Sequence, residues 1–268
     1  MANRATIQAK RLGAEILTAQ KVVGIQREDP YRMVLLEDGT ELSCKAIILA
    51  TGVSLRKLAV PNIDRLSGAG IYYGAAVSEA AQLSGEQVFV VGGANSAGQG
   101  AMFLSRYASK VIMLIRGENL QKGMSQYLID QIKNTDNIEV WPHTTIQQVH
   151  GEKALEEVTI HNSQSQETST LSAKAVFIFI GARAHTEAFQ KAIDVDAGGF
   201  IKTGPDLSVD GKRPKDWKLN RDPFLNETSV PGIFAAGDVR AGVVRRVASA
   251  VGQGSVTVSF VHEYLKTV

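Results

Sequence analysis

The chain has 268 residues, enough for two domains of ordinary size, and its 44% hydrophobic content with 25 glycines suits a globular α/β protein. A formal net charge of +2 supplies no polybasic surface, which argues against nucleic acid or anionic membrane as a partner. The longest apolar runs, 46–50 and 88–91, are too short to span a bilayer, and residues 1–6 carry no apolar signal core, so a cytoplasmic protein is expected.

Residues 3–13 have helical spacing, with Ala5, Ala9 and Leu12 on one side and Gly13 as the stop. Two short strands are predicted at 14–17 and 21–26, then a hairpin of 33–36 and 41–44 around Asp38-Gly39. The all-apolar run 46–50 reads as a strand buried on both faces, and it ends in Thr51-Gly52. A Gly-rich stretch over 66–74 marks a change of unit. From Glu86 the order becomes strand 88–91, glycine turn, helix 97–107, strand 111–115 and helix 125–132, followed by strands at 138–141, 157–160 and 175–180. That alternation predicts a doubly wound α/β domain of about a hundred residues. Residues 204–229 hold Pro205, Pro214 and Pro223 and the charged run 212–216, read as a solvated loop. The chain closes with a strand at 232–236, a Gly237-Asp238 turn and a helix over 246–265. Along that helix Val247, Ala250, Val251, Gly254, Val258, Val261 and Leu265 form an apolar stripe.

Two motifs carry chemistry. Gly92-Gly93-Ala94-Asn95-Ser96-Ala97 follows an apolar strand and opens a helix. A glycine there permits the tight turn, a small residue admits the pyrophosphate, and the helix N-terminus offers free N–H groups and positive dipole. Ala94 stands where a glycine is usual and adds a methyl on the phosphate side. At the end of the next strand, Arg116 suits a ribose 2′-phosphate through its planar fork, which favours NADPH over NADH, although Glu118 lies close. The second motif is Gly237-Asp238 after an apolar strand. There a carboxylate at the strand end can accept a ribityl hydroxyl, and the following helix turns its positive end toward an electron-rich ring. Ala50-Thr51-Gly52 ends another strand and is a further point of close backbone approach.

With Thr51-Gly52, Pro61, the 92–97 turn, Ile180-Gly181 and residues 232–238 in this order, the chain resembles the thioredoxin reductase family. It is similar in particular to relatives that carry Gly-Asn-Ser-Ala-Gly-Gln, Leu-Val-Arg-Gly and Lys-Arg-Val-Ala-Ser-Ala-Val-Gly, some of them fused to a cyclic-nucleotide-binding domain. The counterparts here are residues 93–99, 114–117 and 245–252. The resemblance implies a two-dinucleotide-binding-domain flavoprotein of Rossmann-like α/β fold. Its FAD domain would be split over 1–82 and 184–268, with a nicotinamide domain at 83–183. It implies NADPH at Gly92, Gly93, Ala94, Asn95, Ser96, Ala97 and Arg116, with Ile180 and Gly181 also at a cofactor. It further implies FAD at Ala50, Thr51, Gly52, Gly237, Asp238, Arg245, Arg246, Val247 and Ala250, and a homodimer. The reaction implied is hydride transfer from NADPH to FAD and on to an unknown acceptor, a protein disulfide or a small molecule.

Two departures qualify it. Cys44 is the single cysteine, so the chain has no Cys-x-x-Cys pair of its own, and a half-buried inert thiol is expected. The strand, glycine turn and helix for the ADP half of FAD are absent, as if the FAD domain were incomplete at its N-terminus. Two or three charge-assisted bonds of about 1.5–3 kcal/mol each would then be lost, weakening FAD by several decades. The alternative is a non-catalytic NADP(H)-binding remnant with weak or no FAD binding. His143, His150, His161, His185 and His262 lack ligand spacing, so no metal site is expected. Hydride transfer needs no side-chain acid or base, so no catalytic side chain is named. Tyr72 and Tyr73 read either as a flavin shield or as core packing or a hinge.

Overall fold

The computed structural model describes all residues except Met1, 75–79, Ala81, Val209 and Asp216, and, for Ala2, the side chain. Asp216, the end of the charged run, therefore lies outside the described residues. The chain forms two compact units, a split unit of Met1–Ser54 with Arg183–Val268 and an inserted unit of Leu55–Ala182.

The inserted unit is built on a five-stranded parallel sheet in the order β6-β13-β7-β8-β9, from Ile71–Tyr73, Ala175–Ile178, Gln87–Val91, Lys110–Leu114 and Ile138–Trp141. Alternate side chains leave opposite faces of a strand. Val88, Val90, Val111 and Met113 pack against α2 (Asn95–Leu104) and α3 (Gln126–Lys133). Phe89, Val91, Ile112 and Leu114 meet an antiparallel meander of β10 (Thr144–His150), β11 (Glu157–Asn162) and β12 (Thr168–Ser172). Residues covered on both faces explain why β7 and β8 read as unbroken apolar runs. β10 and β12 escape a hydrophobicity reading because they are mostly polar: Ile146 and Val149 are the apolar residues β10 buries, and Leu171 is the one apolar residue of β12.

The stretch 66–74 is not a boundary. It delivers β6 to the sheet edge, with Leu66 and Ile71 fully buried, and the units part at 54/55. Tyr72 stacks on Phe177 with ring centroids 5.2 Å apart, and the Tyr73 hydroxyl accepts Leu58 N at 3.1 Å, so both tyrosines serve the packing of this unit.

The split unit opens with α1 (Ala2–Arg11), then the antiparallel sheet β1 (Val22–Glu28), β2 (Tyr31–Leu36) and β3 (Glu41–Cys44). Asp38 Oδ1 accepts Thr40 N at 2.9 Å and closes the predicted hairpin turn. Residues 14–17, expected as a strand, are irregular and exposed and pair with no strand among the described residues. β4 (Ile47–Leu49) and β15 (Ile233–Ala235) pair in parallel. Only one face of β4 is covered, contrary to expectation, since Ile48 is 41% exposed. Short strands β5 (Val53–Leu55) and β14 (Ala182–Ala184) carry the chain across the division between units.

The last helix, α4 (Val247–Leu265), corrects the sequence reading most. Val247 and Val251 of its apolar stripe are 66% and 64% exposed, while its buried residues are Thr257 and Tyr264. Partners, rather than hydrophobicity, decide this. Thr257 receives a hydrogen bond from Asn226 at 2.6 Å, and the Tyr264 hydroxyl accepts Arg32 Nη2 at 2.9 Å.

Candidate functional sites

In the inserted unit, β7 runs into Gly92 at φ +137°, a conformation that favours glycine. A Cβ there would sit 2.5 Å from the carbonyl oxygen of Phe179, so this glycine also admits the chain leaving β13. The first bond of α2 runs from Gly98 N to Ala94 O at 3.1 Å. The N–H groups of residues 95–97 thus have no partner within the helix and face outward from its positive end. The Asn95 side chain has a structural task as well, because its Oδ1 accepts Ser125 N at 2.8 Å and ties the starts of α2 and α3 together. Ser96 is exposed in the first turn and Ala97 is buried.

Arg116 follows β8, exposed and without an ion pair among the described residues. Gly117 O beside it accepts His143 N at 3.1 Å, which fixes the backbone where the guanidinium leaves the sheet. Ile180 and Gly181 follow β13, with Gly181 at φ +90° and its carbonyl accepting Arg56 N at 3.0 Å. β13, β7 and β8 are parallel neighbours, so the structure brings Gly92, Arg116 and Ile180 to one carboxyl edge of one sheet. That edge is where ligands bind in open α/β sheets.

The split unit repeats the arrangement on a smaller scale. β4 ends in Ala50-Thr51-Gly52, and β15 ends in Ala236 followed by a single 3-10 turn, Gly237–Val239. Ala236 N donates to Leu49 O at 3.0 Å, so Thr51 and Asp238 lie at the same edge of a parallel pair. Gly237 has φ +78°, and its missing Cβ would meet the Cβ of Ala250 at 3.4 Å. Asp238 is half-buried without an ion pair among the described residues. Arg245, Arg246 and Val247 are exposed at the start of α4, and the Arg245 guanidinium lies 4.1 Å from the Phe200 ring centroid.

The model of the pyridine nucleotide-disulphide oxidoreductase family matches residues 2–254. The chain belongs to this family. A thioredoxin reductase of Streptomyces clavuligerus is 30% identical over 247 residues, covering 92% of this chain and 70% of the relative. A "34.2 kDa protein in rubredoxin operon" of Clostridium pasteurianum is 28% identical over 265 residues, 99% of this chain and 79% of that protein. Among solved structures, thioredoxin reductase of Streptococcus pyogenes superposes with a TM-score of 0.73 at 26% identity, over the whole chain and 80% of that structure. The fold is thus that of thioredoxin reductase-like flavoproteins, and the chain is an oxidoreductase of that kind.

Several residues of this family member escaped the sequence reading because they are polar and only their partners account for their burial. Glu227, fully buried, accepts both Arg221 nitrogens at 2.6 and 3.0 Å and the amides of Phe224 and Gly232 at 3.0 Å each. Arg221 lies 4.0 Å from the Phe224 ring centroid, and Phe224 stacks on Phe260 of α4. The segment 217–227, which follows the charged run, therefore anchors the start of β15. Asn226, 1% exposed, donates to Gln253 O at 3.2 Å and to Thr257, while its Oδ1 has no partner among the described residues. Gln253 Oε1 accepts Gly237 N at 2.9 Å. Arg240 donates from Nε and Nη2 to Thr203 Oγ1 at 2.9 and 2.7 Å, and burial lowers its pKa while Asp206 raises it. His185 clips the 51–54 turn: its amide donates to Gly52 O at 3.2 Å, its carbonyl accepts Thr51 Oγ1 at 2.8 Å, and its ring shares a 2.8 Å hydrogen bond with Ser54 Oγ. A polar residue set among apolar helix positions, such as Gln253, was the available signal.

Cys44 is half-buried, its thiol bonds to Arg32 O at 3.2 Å, and desolvation pushes its pKa up although Arg32 opposes. Such a thiol is protonated and inert at neutral pH.

Proposed function

We propose that the chain is an NADPH-dependent flavin oxidoreductase that passes electrons to an acceptor outside itself. One observation carries the reading: each glycine turn singled out in the sequence lies at the carboxyl edge of parallel strands, one set in each unit. The free amides at residues 95–97 would hold a pyrophosphate, and Arg116 a ribose 2′-phosphate. Ala50, Thr51, Gly52, Gly237 and Asp238 would hold FAD together with the residues that open α4. The residues fit such a polar ligand, since Asp238 has no ion pair among the described residues and Gly237 lets backbone approach where a side chain would intrude. When bound, the nicotinamide and the flavin would supply the chemistry of hydride transfer. The protein's own part is to orient the cofactors and to offer positive dipole at the helix starts. With one cysteine the chain forms no disulfide of its own to relay electrons, so the acceptor is a protein with its own disulfide or a small molecule such as a quinone or oxygen. A cytoplasmic homodimer is part of this reading.

A second reading, an NADP(H)-binding module without turnover, is favoured by the open face of β4, where Ile48 is exposed. Equilibrium titration of the 268-residue chain with FAD, and separately with NADPH and NADH, tests both. Arg116→Ala should weaken NADPH by about ten- to a hundredfold, from the loss of one charge-assisted pair, and leave NADH unchanged. Equal affinities in parent and variant would overturn the placement of the 2′-phosphate. NADPH binding without any FAD binding would select the second reading.

A further inference from the structure

We propose that Gln253 is a positioning residue for the flavin site: its side-chain carbonyl fixes the Gly237-Asp238 turn against α4. The proposal rests on the reading of that turn as a flavin site.

Two of the three pieces of chain assigned to FAD above are the turn that ends β15 and the first residues of α4. A ligand can meet both only if their separation is set before it arrives. Two contacts set it, and both involve Gly237. Ala250 and Gln253 lie three residues apart on one face of α4. Ala250 offers a methyl to the space a Gly237 side chain would fill, and Gln253 Oε1 accepts the Gly237 amide at 2.9 Å. The apolar contact resists approach, while the hydrogen bond resists separation.

The donor is a backbone N–H, so the amide group of Gln253 is oriented without ambiguity: its oxygen faces the turn. A second buried amide holds the helix itself. Asn226 follows Leu225, whose carbonyl accepts Arg240 Nη2 at 3.3 Å, and its own carbonyl accepts Ala235 N at 2.9 Å from β15. Its side chain reaches the carbonyl of Gln253 and the hydroxyl of Thr257, which also donates to Gln253 O at 2.7 Å. The residue that holds the turn is therefore held in place by hydrogen bonds from a neighbour of β15. Asn226 Oδ1, without a partner among the described residues, belongs to the same buried side chain.

Met at 253 keeps length and helix propensity but removes the acceptor, leaving the Gly237 amide unpaired. Glu at 253 keeps a side-chain oxygen at the same reach. FAD affinity and the visible spectrum of bound flavin would be measured for the parent, Gln253→Met and Gln253→Glu, with NADPH affinity as a control on the inserted unit. Hydrogen exchange at the Gly237 amide would be followed in the parent. Gln253→Met should weaken FAD about tenfold and shift its absorbance band, with NADPH unchanged, and Gln253→Glu should return FAD affinity to within about threefold of the parent. In the parent the Gly237 amide should exchange slowly. Parent-like FAD binding and spectrum in Gln253→Met, equal loss in both variants, or a freely exchanging Gly237 amide would each overturn the role of Gln253 and leave the flavin reading standing. A parent that binds no FAD overturns both.

Discussion

Replacing Glu227 with alanine removes four hydrogen bonds from a site that solvent does not reach. The amides of Gly232 and Phe224 lose their acceptor, at about 1–3 kcal/mol for each donor left without one. The Arg221 part is smaller, because its side chain is 24% exposed and can rehydrate. Together the loss should be about 3–5 kcal/mol, the usual cost of breaking a buried pair by removing one partner. Glu227→Gln keeps the volume and one acceptor oxygen and should cost about 1–2 kcal/mol. The two tryptophans make the assay selective, since Trp141 lies in the inserted unit and Trp217 in the split unit, where its Nε1 donates to Arg221 O at 2.6 Å. Urea unfolding followed with Trp141→Phe and Trp217→Phe backgrounds would report each unit. The Trp217 transition should move to lower urea in Glu227→Ala and the Trp141 transition should not. A shift of less than about 0.5 kcal/mol, the range of ordinary surface substitutions, would refute the anchoring role of Glu227.

Gly92→Ala should abolish NADPH binding and destabilise the inserted unit by at least about 1–3 kcal/mol, because the new methyl meets Phe179 O in a left-handed conformation; calorimetry reads both effects. Thr203→Val should cost about 1–3 kcal/mol in thermal unfolding by leaving the buried Arg240 guanidinium without its main acceptor, whereas the double variant with Arg240→Met should recover most of that loss. Burial raises the Tyr264 hydroxyl above its ordinary pKa of about 10. The folded state then holds its proton more tightly than the unfolded state, so this contribution is complete below about pH 10 and is lost as pH rises through the folded value. Stability of the split unit should therefore decline above about pH 10, and Tyr264→Phe should flatten that decline in a pH series of urea melts.

What the sequence discloses here is what local pattern and backbone chemistry disclose. β7 and β8 are legible because strands covered on both faces must be apolar throughout, and the glycine at 92 because only glycine tolerates that turn. Gly237-Asp238 is legible for the same reason. The face of α4 is not. Val247 and Val251 carry the hydrophobic signal, yet Thr257 and Tyr264 are buried, because Asn226 and Arg32 await them from positions 31 and 232 residues away. Glu227 and Arg221 drew no reading for a like reason, since a charge is buried only beside a partner and that pairing forms with the fold. Residues 14–17 show the converse, a strand-like local pattern that pairs with no strand among the described residues.

The measurement that tests the central claim most directly is an anaerobic absorbance spectrum of the 268-residue chain with FAD, before and after one equivalent of NADPH. A bound-flavin spectrum that bleaches on NADPH, with loss of nicotinamide absorbance in equal measure, is the predicted result. A flavin that stays oxidised while NADPH is bound would contradict the proposed activity and leave a nicotinamide-binding protein without turnover.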